Sequence, residues 1–249
     1  MAVPEAQLDT WSHQGSITQS SATYNSIKNV LEASGTPYAG KNYEVFLQGS
    51  YGNYTNIYAE SDVDIVIRLD DTFYSDRSKL TPAEEKAWQQ AHPAAEYPLA
   101  DFKRDVLRVL TSKYGRDVMA GDKTILVVAN GGRRNADVIV AAQYRRYHKF
   151  NSSADELYVE GICFWDSAGT QIVNYPKQHA TNCTTKHQGT GRWFKPLVRV
   201  FKNMRGYLVD NNLLEDGVAP SYYLEGLLYN VPNEQFSNNY AGCFVNAIN

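Results

Sequence analysis

The sequence predicts an α+β fold: a sheet lobe with flanking helices, followed by a helical lobe. Three observations carry this reading. Runs rich in β-branched or aromatic residues recur at 43–48, 63–69, 123–129 and 136–141, the composition of buried strands. A long amphipathic segment at 99–114 separates the second run from the third, so a helix crosses between strands. After Pro176 the apolar spacing turns helical, giving a sheet-then-helix order.

Taken in order, Ile17, Tyr24, Ile27, Val30 and Leu31 recur at helical intervals between Ser16 and Ala33, and Gly35-Thr-Pro37 ends that helix. Tyr43 to Gln48 reads as a short strand entering Gly49-Ser50. Val63 to Leu69 is the next strand, and a polar insertion fills 70–98. Inside it, Thr81-Pro82-Ala-Glu84 has an N-cap, a proline at the first helical position and a capping-box acid, so a short helix starts there. Leu99 to Tyr114 is a longer helix stopped by Gly115. Strands at 123–129 and 136–141 are joined by a tight turn around Gly131-Gly132. Val159–Trp165 and Gln171–Tyr175 form a hairpin around Ser167-Ala-Gly169. Helices follow at 193–209 and 221–229, the second behind Pro220. The domain boundary is placed at 176/177, with a catalytic core over 1–176 and a helical lobe over 177–249.

Composition narrows the class. With 43% hydrophobic and 20% charged residues, the 249-residue chain has the balance of an ordinary globular enzyme. Its net charge of −3 gives no overall bias towards nucleic acid or anionic membranes, which disfavours a long nucleic-acid groove. Cys163, Cys183 and Cys243 are sparse and odd in number, so reduced thiols in a cytoplasm are expected. The first residues carry no basic start before an apolar run, and no stretch suggests a membrane span. His179 and His187 show no partner at metal-ligand spacing and read as structural.

The chemistry lies in Gln48-Gly49-Ser50 and Asp62-Val63-Asp64. Asp62 and Asp64 are two apart, so on a strand both side chains face one way. Converging carboxylates repel unless a cation sits between them, and hard divalent ions such as Mg²⁺ are the natural occupants. Unpaired carboxylates inside VDIVI would otherwise destabilise a core strand by several kcal/mol, roughly, for each buried charge. Asp137, at the start of a neighbouring strand, can complete a two-cation site of the kind used in phosphoryl transfer. Gly49 lets backbone approach a triphosphate, and the Ser50 hydroxyl with adjacent N–H groups can bind phosphate oxygens.

These motifs resemble the polymerase-β-like nucleotidyltransferase superfamily, in particular the bacterial cGAS/DncV-like nucleotidyltransferases of antiphage signalling. The residues are QGSYGNYTNI at 48–57, SDVDIVI at 61–67, ADVIVA at 136–141, NYPKQH at 174–179 and APSYYLEGLLYNVP at 219–232, spanning Phe46 to Pro232. The resemblance implies a mixed-sheet core plus a helical C-terminal lobe. It makes Asp62, Asp64 and Asp137 the metal-binding and catalytic triad, with Mg²⁺ (or Mn²⁺) as cofactor. It makes Gln48, Gly49 and Ser50 the phosphate-binding turn. Lys202 is similar to a lysine aimed at the donor triphosphate, Ser221 to a second phosphate-contacting hydroxyl, and Tyr222 to a base-stacking aromatic. Ser221 also fits an N-cap, while Lys195, Arg199 and Arg205 read as a solvated basic face.

The implied reaction is attack of a 2′- or 3′-hydroxyl on the α-phosphate of a nucleoside triphosphate, yielding a cyclic or short linear oligonucleotide read by a separate effector protein. Nucleotidyl transfer onto RNA, DNA or protein is the alternative enzymatic reading. A catalytically inactive nucleotide sensor is the alternative from another class. Relatives carry more helix beyond Phe244, so the helical lobe is expected to be truncated or compact.

Overall fold

The computed structural model describes residues 3–15, 17–58, 62–236 and 239–248. Ser16 and Ser61, at the edges of the first expected helix and of the aspartate motif, lie outside them. In chain order the elements are α1 (Glu5–Ser12), α2 (Thr18–Leu31), β1 (Tyr43–Leu47), the single turn α3 (Gly49–Gly52), β2 (Val63–Asp76), α4 (Pro82–Ala91) and α5 (Leu99–Tyr114). There follow β3 (Val118–Ala120), β4 (Ile125–Val127), β5 (Ala136–Ser152), β6 (Asp155–Trp165) and β7 (Gln171–Asn174). The last four are α6 (Pro176–Gly189), α7 (Phe194–Asp210), α8 (Ser221–Tyr229) and α9 (Tyr240–Ile248). The α+β class and the mixed sheet agree with expectation.

The chain packs into two compact units that interleave in sequence. One holds residues 22–47 and 63–178; the other holds 1–21, 48–62 and 179–249. Residues 48–62, which a cut at 176/177 leaves with the sheet, group instead with the C-terminal helices.

The sheet unit is built around β2 and β5, which run parallel, while their other partners are antiparallel. The order is β1-β2-β5-β4-β3, with β6 on the far half of β5 and β7 beside β6. Alternation along β2 and β5 sends Val63, Ile65, Ile67, Leu69, Ala136, Val138, Val140 and Ala142 into the main core. There they meet Ile27 and Leu31 of α2 and Phe102, Val106 and Leu110 of α5. The opposite face carries Val66, Ile139 and Ala141, with Ile162 and Phe164 of β6. Asp64 and Asp137 fall on this second face by the same alternation.

Two strands run longer than their sequence suggests. β2 passes a bulge between Leu69 and Phe73 and continues to Asp76, so the first part of the polar insertion is sheet. β5 continues from Ala141 to Ser152 because its interleaved arginines lie on rings: the Arg145 guanidinium is 4.1 Å from the Phe73 centroid and 4.9 Å from Tyr158. α4 carries the expected capping box, with Thr81 N donating to Glu84 Oε2 at 2.8 Å and Glu84 N to Thr81 Oγ1 at 3.3 Å. Gly115 ends α5 at φ 57°.

The helical unit has its own core of Cys183, Phe194, Leu197, Val198, Phe201, Leu224, Leu228 and Cys243, from α6, α7, α8 and α9. α1 packs along α7 and α9. The three cysteines are buried, and none of them forms a disulfide. Among the described residues, no helix is long and apolar enough to cross a membrane.

Candidate active site

In the sheet unit, Asp64 and Asp137 are direct register partners across the parallel β2–β5 pair. Both are partly exposed, while Val63, Ile65, Ala136 and Val138 beside them are buried. Adjacent strands lie about 4.8 Å apart, so two carboxylates face one patch of solvent at close range. Thr124 Oγ1, just before β4, donates to Asp137 Oδ1 at 2.7 Å. That bond orients the carboxylate and leaves Oδ2 for other work. Asp62 precedes β2 and is exposed.

In the helical unit, residues 48–58 form a tight loop around α3. Gln48 is extended at φ −130°, and Gly49 turns into the left-handed region at φ 66°, where a side chain would be strained. Thr55 N closes the loop on Ser50 O at 2.9 Å. Tyr51 Oη anchors it to Ile17 O at 2.9 Å, and Gly15 N bonds Asn56 O at 3.1 Å. A Cβ on Gly15 would stand 2.6 Å from the Ile57 backbone, so the approach requires glycine.

Lys202 is fully buried rather than a solvated helix residue. Its Nζ donates to Thr55 O at 3.0 Å and lies 4.0 Å from Glu225 Oε1. The basic stripe on α7 is likewise not a solvated face. Lys195 is 7% exposed and donates to Thr184 Oγ1 at 3.3 Å. Arg199 donates to Tyr54 O at 2.6 Å and to Ser12 O, and Arg205 to Ala219 O at 3.1 Å. Lys202, Arg199 and Arg205 thus donate to backbone carbonyls, and Lys195 to a hydroxyl.

Ser221 is the first residue of α8 and not its N-cap, a position that Pro220 holds with φ −56° and ψ 158°. Its hydroxyl accepts from Arg205 Nη1 at 3.3 Å. Tyr222 is 72% exposed and presents its ring to solvent, as a base-stacking residue requires.

Sequence reasoning missed the group that ties this unit together. His179 and Cys183 stand one helical turn apart on α6, the spacing that puts both on one face. With Glu225 they bring one ligand atom each within 4.8 Å of one another. His179 Nε2 lies 2.6 Å from Glu225 Oε2, and Cys183 Sγ is 3.5 Å from the same imidazole nitrogen. Burial opposes charge on His179, but the bonds to Cys183 and Glu225 and the carboxylate's charge outweigh it and raise its pKa to about 9. Burial pushes Glu225 up, yet the His179 and Thr55 bonds and the Lys202 charge hold it below the usual carboxylate range. A protonated His179 and the Lys202 ammonium already compensate Glu225, so the trio reads as a hydrogen-bonded ion cluster. Its spacing was visible in the sequence; Glu225, 42 residues beyond Cys183, was not.

The chain is similar to known proteins along its whole length. The cGAS/DncV-like nucleotidyltransferase C-terminal helical domain matches residues 181–249. The cyclic UMP-AMP synthase of Rhodothermus marinus is 42% identical over all of this chain and 83% of its own length. The cyclic dipurine nucleotide synthase of Elizabethkingia meningoseptica is 34% identical over all of this chain and 84% of its own. Among solved structures, the Rhodothermus marinus CdnE c-UMP-AMP synthase with Apcpp and Upnpp superposes with a TM-score of 0.88 at 41% identity, over 99% of this chain and 82% of that one. With sequence motifs, sheet topology and whole-chain identity in agreement, the chain belongs to the cGAS/DncV-like nucleotidyltransferase family.

Proposed function

We propose that the chain joins nucleoside triphosphates into a cyclic or short linear oligonucleotide messenger, releasing pyrophosphate. The observation that carries the chemistry is the Asp64–Asp137 register pair, two oxygen donors aimed from adjacent strands at one exposed patch. Whole-chain similarity to synthases of cyclic dinucleotides supports the product class. An effector protein reading the product, in antiphage signalling, is the biological role that family membership favours.

The donor set fits Mg²⁺ or Mn²⁺, since both partners are hard carboxylates whose mutual repulsion a divalent ion relieves. Asp62, Asp64 and Asp137 would hold the metal, which supplies charge stabilisation at the phosphates and lowers the pKa of the attacking hydroxyl. The hydroxyl oxygen bonds to the α-phosphorus as the bond to the bridging oxygen of the pyrophosphate breaks. Asp137 Oδ2 takes the hydroxyl proton, because Oδ1 is held by Thr124. Gly49, Ser50 and the hydroxyl of Ser221 bind phosphate oxygens, with Gln48 setting the entry to the turn, and Tyr222 stacks on a base. Lys202 supports the phosphates through the Thr55 carbonyl it holds.

The test is incubation with all four labelled ribonucleoside triphosphates, then the deoxy set, with Mg²⁺ or Mn²⁺, beside an Asp62→Ala/Asp64→Ala control. A phosphatase-resistant small product that disappears in the control is expected. Label moving with added RNA, DNA or protein would replace this reading with polymer or protein transfer. Nucleotide binding without product would favour a sensor.

A further inference from the structure

Residues 48–58 hold a strained conformation that rests both on their own backbone bonds, such as Thr55 N to Ser50 O, and on side chains from other segments. Besides Gly49, Tyr54 sits in the left-handed region at φ 58°, which disfavours a residue with a side chain by about 1–2 kcal/mol. Such a conformation persists only where its surroundings over-determine it. Arg199 holds the Tyr54 carbonyl and Lys202 that of Thr55, while the side chains of Asn53 and Thr55 meet at one carboxylate. Glu225, 2% exposed on α8, accepts from Asn53 Nδ2 at 2.9 Å and from Thr55 Oγ1. Thr55 in turn donates its amide to Ser50 O at 2.9 Å, while its single hydroxyl proton goes to the carboxylate and its Oγ1 lies 3.4 Å from the same carbonyl.

Glu225 also reaches the base-facing side. His179, held at Oε2, lays its ring against Tyr222 with centroids 4.7 Å apart and planes at 32°. One ring face of Tyr222 is therefore backed by an imidazole, and the tyrosine remains largely exposed for a base. The charged groups around the carboxylate are His179 of α6 and Lys202 of α7, with Lys195 of α7 further off.

We propose that Glu225 is a positioning residue for nucleotide binding, which fixes the Ser50 turn through Asn53 and Thr55 and the Tyr222 ring through His179. The inference rests on the phosphate and base roles proposed above for Ser50 and Tyr222. A resident metal on His179, Cys183 and Glu225 is the weaker reading, because the Lys202 ammonium stands 4.0 Å from the carboxylate.

Glu225→Gln keeps the shape but turns an N–H₂ towards groups that themselves donate. Thr55→Val removes a single bond and leaves the ion cluster in place. Hydrogen exchange of amides 53–57 would be followed in the full chain, together with initial rates and titration of non-hydrolysable nucleoside triphosphates in Mg²⁺. Exchange at 53–57 is expected to rise about tenfold in Glu225→Gln, the equivalent of one charge-assisted hydrogen bond, while β2 and β5 keep wild-type protection. KM should rise by about the same factor, with kcat changed less than about threefold, since binding and not the chemical step is disturbed. Thr55→Val should move exchange and KM the same way by a smaller factor, and it decides alone if Glu225→Gln does not fold. Wild-type exchange in both variants, or a loss of kcat at unchanged KM, would overturn the proposal. If the wild type binds no nucleoside triphosphate, the proposed function fails, while exchange at 53–57 still decides whether Glu225 sets the turn.

Discussion

Asp64 lies directly opposite Asp137 in the parallel register of β2 and β5, flanked on both strands by fully buried aliphatic residues. Neighbouring like charges on adjacent strands destabilise a sheet by up to about 1 kcal/mol. Retaining them implies a gain elsewhere, and cation binding is the gain that suits two carboxylates. Asp64→Asn should therefore abolish product formation, by about 10³-fold or more, while its metal-free melting temperature stays at or slightly above wild type. Mg²⁺ should raise the melting temperature of wild type and not that of the variant. Thermal unfolding with and without the ion checks both halves; a variant that still gains stability from Mg²⁺ would place the ion elsewhere.

Thr124 touches this pair without belonging to it. Its hydroxyl fixes Asp137 through one bond of 2.7 Å, worth about 1.5–3 kcal/mol when the acceptor is charged. Thr124→Val should lower kcat about tenfold with KM nearly unchanged, because the proton acceptor loses its orientation and the nucleotide contacts do not. Thr124→Ser should restore most of the rate. Steady-state kinetics of both variants measure this, and a rise in KM alone would assign Thr124 to binding.

The part of this site legible in the sequence was the part held on strands. Alternation placed Asp64 on one face, and a short β-branched run placed Asp137 beside it, since strand periodicity converts spacing directly into direction. The helical residues were harder. Lys195, Arg199 and Arg205 look like a solvated stripe by periodicity, yet Lys195 is buried against Thr184 and the two arginines donate to carbonyls of other segments, as the buried Lys202 does. Long-range partners such as Thr55 for Lys202 leave no local trace. The second half of β5 was hidden for a related reason: the guanidiniums of Arg145 and Arg146 lie on the rings of Phe73, Tyr158 and Tyr175, partners distant in sequence. α1 has a single buried aliphatic, Leu8, and so offered little pattern to read.

Gly49 provides a test of the loop that requires no assumption about metals. At φ 66° an alanine is strained by about 1–2 kcal/mol. Gly49→Ala should relax the turn to relieve that strain, which displaces the Ser50 hydroxyl and amide. A several-fold weaker affinity for nucleoside triphosphates is expected, read by titration with non-hydrolysable analogues. Gly35→Ala, where a Cβ meets nothing within 4 Å, serves as the control.

The His179–Glu225 pair also sets a pH dependence whose sign follows from linkage. The imidazole titrates near 6.5 in the unfolded chain and at about 9 in the folded protein. Between these values the native state holds a proton that the unfolded state has released, so stability falls as pH rises. The contribution is complete below about pH 6.5 and lost once pH passes about 9. Wild type should therefore lose about 5 °C more in melting temperature between pH 6.5 and 9 than His179→Gln. Thermal unfolding across that range, in buffers of matched ionic strength, gives the comparison. Parallel curves for the two proteins would mean that the imidazole is neutral in the folded state and that Glu225 is compensated by Lys202 alone.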